Sequence, residues 1–372
     1  MAAPFIVHPF ILCREAAGRL STLRYVINGV KKDMFSSLPF PLRVRLSKEK
    51  RWVIFIHGMG ATEKSWTDPC AEVLAGGTLP FDFVLTDCSR PPERMEPNPF
   101  LRWKILTSTP LRLQPVPPTP FWEILRGEAV NLLAWSQRDS FGPIARAVEE
   151  LSHIVGLLPR GAEIVLIGHS RGGLVARRFI QEQASAWKML KGVILLGSPN
   201  RGSRIAALAR VLGEAWFLAL LENIFPRDTP FSLPRALGHV RAYLKRAAIT
   251  ELAPDSPLIA EVVQGETKER ESGIPYINLI GTRTTYIRFY RIVCQEPWHL
   301  VPLFSLFDSL ETFIPQALLP PEVRQGRGDG QVSVESACLS WSRSSRLFHV
   351  NHAQFLIDRD VQGQVLQALR EI

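Results

Sequence analysis

Residues 163–177 read E-I-V-L-I-G-H-S-R-G-G-L-V-A-R, and this stretch decides the fold of the chain. Its apolar run at 164–167 predicts a buried β-strand, and the spacing of apolar residues from Leu174 onward predicts a helix. Between them lies G-H-S-R-G, which matches G-x-S-x-G, a sharp strand-to-helix turn. The glycines of this motif lack the Cβ that would collide with neighbouring segments in so tight a turn. We therefore expect the hydroxyl of Ser170 to stand above a sheet edge, at the N-terminus of a helix.

The elements on either side of this turn alternate between strands and helices. The sequence predicts strands at Leu42–Leu46, Trp52–Ile56, Phe81–Thr86, Val130–Trp135, Gly192–Leu196 and Tyr276–Ile280, and helices at Thr62–Ala75, Pro143–Leu158 and Val361–Leu369. Such alternation indicates an α/β fold with a mainly parallel, doubly wound sheet and helices on both faces. We expect the first two strands to pair as its antiparallel edge. This context favours the sharp turn over an ordinary glycine-rich loop, the alternative for so short a motif.

The length of 372 residues fits one α/β domain that carries insertions. Residues 1–40 form a predicted N-terminal extension, and residues 41–372 form the predicted domain. Three stretches interrupt the alternating pattern and are the predicted insertions, at about 91–128, 204–274 and 283–325. The second is strongly helical and contains the very apolar segment Ala215–Leu221. This segment either packs on the core or belongs to a helical cap whose apolar side faces the site.

The composition indicates a globular protein with a basic surface. Hydrophobic residues make up 46% of the chain and charged residues 21%, which is enough apolar material for a large core. The formal net charge is +9. We find no basic run interleaved with aromatic residues and no familiar nucleic-acid motif, so no nucleic acid partner is predicted. The charge is either a solvated basic surface or an attraction to anionic lipid or substrate.

The cysteines and the apolar runs bear on location. Five cysteines are scattered without C-x-x-C spacing, which predicts neither a zinc site nor a disulfide framework, and their odd number favours a reducing compartment. Residues 1–13 lack the early positive charge and the cleavage site of a signal peptide. No apolar run approaches the roughly 20 residues that span a bilayer. We expect a cytoplasmic or peripheral membrane protein without a transmembrane segment.

A serine hydroxyl is a weak nucleophile at neutral pH, so Ser170 needs a base within hydrogen-bond distance and an acid that orients the base. A fold of this kind supplies the acid and then the histidine after the serine, each on a loop behind a late strand. Asp329 lies in the tight polar turn G-R-G-D-G-Q-V at 326–332 and is the predicted acid. A plain Asp-Gly turn is its alternative interpretation. Other carboxylates lie in the insertions and suit the role less well: Asp255, Asp308 and Glu311.

Two histidines compete for the role of the base. His349 and His352 both precede the last predicted helix and are three residues apart, so their positions alone do not decide between them. His57 and His169 flank the H-G-M-G turn at 57–60 and the serine turn, where we expect them to pack and to orient loops. The backbone amides of the H-G-M-G turn are suited to receive negative charge.

At this point the chain resembles the lipase branch of the α/β-hydrolase family. The resemblance rests on I-F-I-H-G-M-G at 54–60, G-H-S-R-G-G-L-V-A-R at 168–177, G-S-P-N-R-G-S at 197–203, E-L-A-P-D-S-P-L at 251–258, R-G-D-G-Q-V at 327–332 and V-N-H at 350–352. It covers roughly residues 50–372 and is greatest to bacterial triacylglycerol lipases and to hydrolases of the GPI-inositol deacylase type. The resemblance implies an α/β-hydrolase fold with a helical cap.

The resemblance also implies roles for individual residues. In the family the histidine of an N-H pair before the last helix is the base, which is His352 here. The oxyanion hole is formed by the backbone amide after the H-G pair and the amide after the nucleophile, which are Met59 and Arg171 here. Many bacterial lipases bind calcium through an aspartate two residues after the histidine, but this chain has Gln354 there. We therefore expect neither a metal nor any other cofactor.

These observations predict a serine carboxyl-ester hydrolase, an esterase or lipase, with Ser170, His352 and Asp329 as a catalytic triad. The apolar insertions favour a hydrophobic ester or lipid as its substrate. A first alternative keeps the triad but acts on the acyl groups of phospholipids or glycolipids at a membrane surface, which the basic charge suits. A second alternative is an α/β-hydrolase scaffold that has no catalytic activity and serves as a binding module.

Overall fold

The structure is a computed structural model that describes the greater part of the chain. The described residues are 26–27, 30–31, 35, 37–69, 81–85, 119–212, 246–284, 287–293, 299–305 and 319–372. Most of the predicted N-terminal extension lies outside them, as do residues 91–118 of the first predicted insertion and the apolar segment Ala215–Leu221.

Twelve strands occur within these ranges. They are β1 (Val26–Ile27), β2 (Val30–Lys31), β3 (Leu42–Arg45), β4 (Arg51–Ile56), β5 (Phe81–Leu85), β6 (Asn131–Trp135), β7 (Glu163–His169), β8 (Leu190–Leu196), β9 (Tyr276–Gly281), β10 (Ile287–Val293), β11 (His299–Ser305) and β12 (Ser344–Phe348). Seven of them form the main sheet in the order β12-β9-β8-β7-β4-β6-β3. All neighbours in this sheet are parallel except β3 and β6. The fold is therefore the predicted α/β-hydrolase fold, with the serine strand β7 in the middle of the sheet.

The antiparallel edge differs from the sequence prediction in its pairing. β3 was predicted to pair with β4, the next strand in the chain, but it pairs with β6, which lies between the two. The polar turn between β3 and β4 is short, yet it passes over the end of β6, which lies between these two strands. β6 is buried along its whole length, so it needs a neighbour on each side, and the half-exposed β3 covers its outer edge.

A second, three-stranded sheet has the order β11-β10-β5. The strand predicted at Phe81–Thr86 is present as β5, but it pairs in parallel with β10 and lies outside the main sheet. β10 and β11 pair in antiparallel fashion and both come from the predicted insertion at 283–325. β1 and β2 form an antiparallel pair of their own.

Ten α-helices occur within the described ranges. They are α1 (Lys64–Thr67), α2 (Phe121–Ile124), α3 (Ile144–Leu157), α4 (Arg171–Glu182), α5 (Arg204–Leu212), α6 (Ala247–Glu251), α7 (Pro257–Gln264), α8 (Glu266–Glu271), α9 (Val334–Ala337) and α10 (Arg359–Glu371). Four short 3-10 helices lie at Leu125–Gly127, Ala184–Ala186, Pro321–Val323 and Gln354–Leu356. Within the described part of the chain, none of the helices is both long and apolar enough to cross a membrane.

Two predicted elements are shorter or of another type in the structure. Within the helix predicted at Thr62–Ala75, α1 ends at Thr67, Asp68 leaves the helical conformation and Pro69 is helical again. Residues 70–75 lie outside the described residues. The sequence also predicts a β-type segment at Gln331–Val334, directly after the turn with Asp329, but it is reduced to one bridge between Gly328 and Ser333. The side chain of Ser333 instead caps the N-terminus of helix α9.

The core consists of two apolar clusters, one on each face of the main sheet. Alternate residues of β4 show the division, since Trp52, Ile54 and Ile56 belong to one cluster and Val53 and Phe55 to the other. The first cluster contains residues of α3, α4 and α7, and the second contains residues of α2 and α10. Helices therefore cover both faces, as the alternating sequence predicts.

The C-terminal part of the predicted cap belongs to the body of the domain. Leu258, Ile259 and Val262 of α7 lie in the first core cluster. The guanidinium of Arg177 on α4 donates two hydrogen bonds to the Glu269 carboxylate on α8, of 2.9 and 2.6 Å, and all of these groups are buried. A buried, bidentate ion pair of this kind fixes the two helices against each other. The part of the cap at 213–245 lies outside the described residues.

The contact of α4 with β4 depends on Gly172. A Cβ at this position would lie 2.2 Å from the carbonyl oxygen of Ile56 at the end of β4. Since the obstacle is backbone of the central sheet, a side chain at residue 172 forces the helix and the strand apart. The glycine therefore allows the helix to begin directly above the sheet edge.

We expect Gly172→Ala to lower the free energy of unfolding by about 3 kcal/mol or more, because the added methyl group collides with backbone that is buried. Denaturant unfolding measures this change. Gly363→Ala in α10 is the matched control, since a Cβ there has open space and should raise stability by about 0.5–1 kcal/mol. If both variants were equally stable, the close approach would have no energetic importance.

Candidate active site

Ser170 has a strained backbone at the point where β7 turns into α4. Its φ is 55° and its ψ is −128°, and within the described residues it is the one non-glycine residue with a positive φ. Its amide donates to the carbonyl of Leu196 at 2.9 Å, which ties the turn to the end of β8. The conformation costs on the order of 1–3 kcal/mol and is maintained by the surrounding sheet. The turn thus has the strand-turn-helix context that the sequence predicted.

Asp329 lies in a turn that several backbone hydrogen bonds close. Its Oδ1 accepts from the amides of Gln331 at 2.9 Å and Val332 at 2.7 Å. The turn is joined to the end of β9, because the Gly326 amide donates to the carbonyl of Thr282 at 3.0 Å. The Asp329 side chain is buried, and these hydrogen bonds fix the orientation of its carboxylate.

His352 contacts Asp329 at two points. Its Nδ1 lies 2.8 Å from Asp329 Oδ2, and its backbone amide donates to the Asp329 carbonyl at 2.9 Å. A hydrogen bond to the carboxylate places the proton on Nδ1, so Nε2 carries the lone pair. Nε2 is buried and has no hydrogen-bond partner among the described residues. His349, the competing histidine, is exposed at the end of the edge strand β12.

The side chains of Asn351 and Gln354 shape the loop that carries His352. Asn351 Oδ1 accepts from the amides of Ala353 at 3.2 Å and Gln354 at 3.0 Å. Gln354 Oε1 in turn accepts from the Asn351 amide at 2.8 Å. This reciprocal pair of bonds holds the loop closed around the imidazole. Gln354 therefore has a structural contact at the position where many bacterial lipases have a calcium-binding aspartate.

The H-G-M-G turn lies directly beside the serine. A Cβ at Gly58 would be 3.1 Å from the Cβ of Ser170, so the two turns are in close contact. Arg171 is the first residue of α4, and the amide of a first helical residue has no acceptor within its helix. The two predicted oxyanion residues, Met59 and Arg171, thus belong to two turns that lie against each other.

His57 and His169 are buried and make hydrogen bonds that define their tautomers. Nε2 of His57 accepts from the amide of Gln137 at 3.0 Å, so its proton is on Nδ1, which donates to the Gly58 carbonyl at 2.8 Å. Nε2 of His169 donates to the carbonyl of His352 at 2.7 Å. Burial lowers the pKa of His57 to about 4, and burial, followed by the proximity of His352, lowers the pKa of His169 to about 3. Both rings are therefore neutral near pH 7 and act through fixed hydrogen bonds.

The remaining candidates lie apart from these groups. Asp255 is exposed on the loop before α7, and Asp308 and Glu311 lie outside the described residues. No cluster of three or more His, Cys, Asp or Glu side chains within the described ranges is arranged to hold a metal ion. Sequence reasoning missed Gln137, which contacts His57 from the loop after β6. Its one sequence signal is its position just beyond the carboxyl end of a parallel strand.

Known proteins resemble this chain in family and in fold. The family model of the alpha/beta hydrolase family matches residues 53–307. No curated protein is significantly similar in sequence. Among solved structures, a lipase of Bacillus licheniformis in its mature form shares 15% identity over 88% of this chain and 97% of its own, with a TM-score of 0.44. A monoacylglycerol lipase of Paleococcus ferrophilus shares 14% identity over 90% and 98%, with a TM-score of 0.41. These two similarities are too low to indicate a reaction or a substrate.

The buried neutral histidines predict a particular dependence of stability on pH. The pKa of His169 is about 3 in the folded chain and near 6.5 when unfolded, so between these values only the unfolded chain takes up the proton. The contribution of His169 to the free energy of unfolding is therefore fully present above pH 6.5 and declines as the pH falls toward 3. Asparagine does not titrate, so we expect the stability difference between wild type and His169→Asn to shrink over this window in urea unfolding experiments.

The matched control for this experiment is His153→Asn, which changes an exposed histidine on α3. Its stability difference from wild type should stay nearly constant with pH. A constant difference for His169→Asn as well would contradict the neutral, hydrogen-bonded state of that ring.

Proposed function

The chain belongs to the alpha/beta hydrolase family, and we propose that it is a serine carboxyl-ester hydrolase that acts on hydrophobic acyl esters. The observation that carries the proposal is the 2.8 Å contact between His352 Nδ1 and Asp329 Oδ2. It leaves the Nε2 lone pair free, and the ring of His352 lies 4.9 Å from that of His169, the residue before the strained Ser170. A nucleophile, a base and a group that orients the base are the three components that serine hydrolysis requires.

In the proposed first half-reaction, Ser170 Oγ attacks the ester carbonyl carbon while His352 Nε2 takes the hydroxyl proton. The carbonyl π pair moves onto oxygen and forms a tetrahedral oxyanion. Asp329 keeps the Nδ1 proton in place and stabilises the imidazolium. Collapse of the intermediate breaks the bond to the alcohol oxygen, which receives the proton from Nε2, and an acyl-enzyme remains.

In the second half-reaction, water replaces the alcohol. His352 Nε2 takes a proton from the water as its oxygen attacks the acyl carbon, and the collapse of the second intermediate returns the proton to Ser170 Oγ. The acid product then leaves. The proposal requires that the Ser170 hydroxyl rotate toward Nε2, because no hydrogen bond between the described residues joins these two groups.

The backbone amides of Met59 and Arg171 are the proposed oxyanion donors. Support comes from the contact of their two turns at Gly58 and Ser170 and from the position of Arg171 at the N-terminus of α4. The helix dipole adds a partial positive charge there. Removing one donor of an oxyanion hole typically costs about 10²–10³ in kcat.

The proposed preference for a hydrophobic acyl group is supported by the sequence. Apolar and aromatic residues are concentrated in the insertions, for example in F-L-R-W-K-I-L at 100–106 and in Ala215–Leu221. Pockets for lipid-like ligands are lined mainly by such side chains.

Ser170→Ala should abolish the hydrolysis of p-nitrophenyl esters, with a fall in kcat of about 10⁴-fold or more, since the nucleophile is lost. A fluorophosphonate probe should label the wild-type chain at Ser170 and leave the variant unlabelled. Ser152→Ala on the remote helix α3 is the control and should retain activity. Full turnover by Ser170→Ala would contradict the assignment, and a wild-type chain that the probe does not label would favour a binding module instead.

A series of p-nitrophenyl esters from acetate to palmitate tests the acyl preference. We expect kcat/KM to rise with chain length until the pocket is filled, because each buried methylene contributes about 0.8 kcal/mol, or roughly fourfold. The measurement is the initial rate at substrate concentrations below the micellar limit. Equal kcat/KM values along the series would remove the acyl preference while leaving the esterase chemistry intact.

A further inference from the structure

Arg171 carries a buried charge next to the proposed nucleophile. Its side chain is fully buried, and among the described residues its guanidinium is hydrogen-bonded to neutral oxygens and to no carboxylate. Its Nη1 donates to Gln137 Oε1 at 2.7 Å, and its Nη2 donates to the carbonyl of Gly142 at 2.7 Å. Burying a guanidinium without a direct counter-ion is unfavourable, so this arrangement calls for a physical explanation.

Gln137 transmits this contact to His57. Its backbone amide donates to His57 Nε2, and its side-chain Nε2 donates to the His57 carbonyl, both at 3.0 Å. One glutamine thus holds both the ring and the main chain of His57, while its side-chain oxygen is held by the guanidinium of Arg171. Because the glutamine oxygen is occupied, its amide group has only one orientation that satisfies both contacts.

His57 continues the series of hydrogen bonds to the backbone of the H-G-M-G turn at 57–60. Its Nδ1 proton is donated to the carbonyl of Gly58 at 2.8 Å. That carbonyl and the amide of Met59 belong to the same peptide group, which is planar, so their directions are fixed relative to each other. A hydrogen bond that holds the Gly58 oxygen therefore also sets the direction of the Met59 N–H.

We propose that Arg171, Gln137 and His57 form an oxyanion clamp, a series of buried positioning residues that aims the Met59 amide at the developing oxyanion. This inference rests on the proposed function, because it concerns the oxyanion of that reaction. The clamp runs from the side chain of one proposed oxyanion residue to the backbone of the other. It therefore couples the two donors, which come from distant parts of the sequence.

The charge of Arg171 adds to this positional effect. Burial disfavours the charged guanidinium, and Glu251, Asp139 and Glu150 favour it through electrostatic attraction without a direct hydrogen bond. A cation that is neutralised only in part, within a water-excluded region, contributes a positive potential at the site where negative charge develops. The alternative is that the network only stabilises the loop after β6, and the two roles predict different results for the same variants.

Gln137→Met and Gln137→Glu separate catalysis from stability. Methionine has a similar shape but loses the acceptor for Arg171 and the donor to His57. Glutamate keeps the acceptor for Arg171 but loses that donor. We expect kcat for a p-nitrophenyl ester to fall about tenfold or more in both variants, because misdirecting one oxyanion donor weakens binding of the transition state. KM should change less than twofold, since the ester carbonyl of the bound substrate is uncharged.

A boronic acid inhibitor provides a readout that a purely structural role would leave unchanged. It forms a tetrahedral anion on the serine, so its affinity should fall in parallel with kcat. Gln181→Met is the matched control, because Gln181 is equally buried but bonds Val262 and Glu269, away from the site. It should lose thermal stability as Gln137→Met does, yet keep its kcat and its affinity for the inhibitor.

The possible outcomes distinguish this inference from the proposed function. A wild-type chain with ester turnover whose two Gln137 variants keep full kcat and inhibitor affinity would overturn the oxyanion clamp alone. A wild-type chain without turnover, and without probe labelling at Ser170, would overturn the proposed function. If Gln137→Met fails to fold, Gln137→Glu decides, since its carboxylate pairs with Arg171 and preserves the stability of the loop.

Discussion

The close backbone contact between the start of α4 and the end of β4 is the constraint on which the site depends. It brings Gly172 to within van der Waals reach of the Ile56 carbonyl, where a side chain does not fit. Ser170 and Gly58 are neighbours because these two backbones meet. The strained φ of Ser170 follows from the same contact, since the chain must reverse from strand to helix without moving away from the sheet. One steric condition thus produces both the strained turn at Ser170 and its contact with the H-G-M-G turn at 57–60.

The sequence predicted the elements of the main sheet well, because fully buried parallel strands leave a simple signature. β4, β7 and β8 contain short, continuous apolar runs that are followed by glycine within two residues, and β9 has one polar residue, Asn278, in such a run. Strand neighbours were harder to predict. The alternation in β3 reveals that one face is covered, but it carries no information about which strand lies beside it. Pairing with β6 rather than β4 depends on contacts between distant residues, as does the pairing of β5 with β10.

The candidate site shows a similar division. The sequence predicted the turn with Asp329 and the pair of histidines before the last helix, because polar residues follow the carboxyl ends of the strands there. It did not separate His349 from His352 by position. The difference arises from the loop that Asn351 and Gln354 close, which turns one ring toward Asp329 while the other stays exposed at the sheet edge. Such reciprocal side-chain bonds have no periodic signature, and neither has the contact of Gln137 with His57.

Two arginines of α4 show how the protein treats buried charge in different ways. Arg177 is held by the Glu269 carboxylate in a bidentate pair, and the Tyr276 hydroxyl donates to the same carboxylate at 2.9 Å. The same guanidinium also donates to Glu266 and Asn200, so direct partners compensate the desolvation of its charge. Arg171 lies six residues earlier, beside the proposed nucleophile, and among the described residues it is bonded to neutral oxygens alone. A carboxylate directly against its guanidinium would cancel the positive potential that an oxyanion requires, and neutral acceptors preserve it. The lack of an ion pair at Arg171 within the described ranges is therefore the feature that the proposed oxyanion site calls for, while Arg177 serves the packing of the helices.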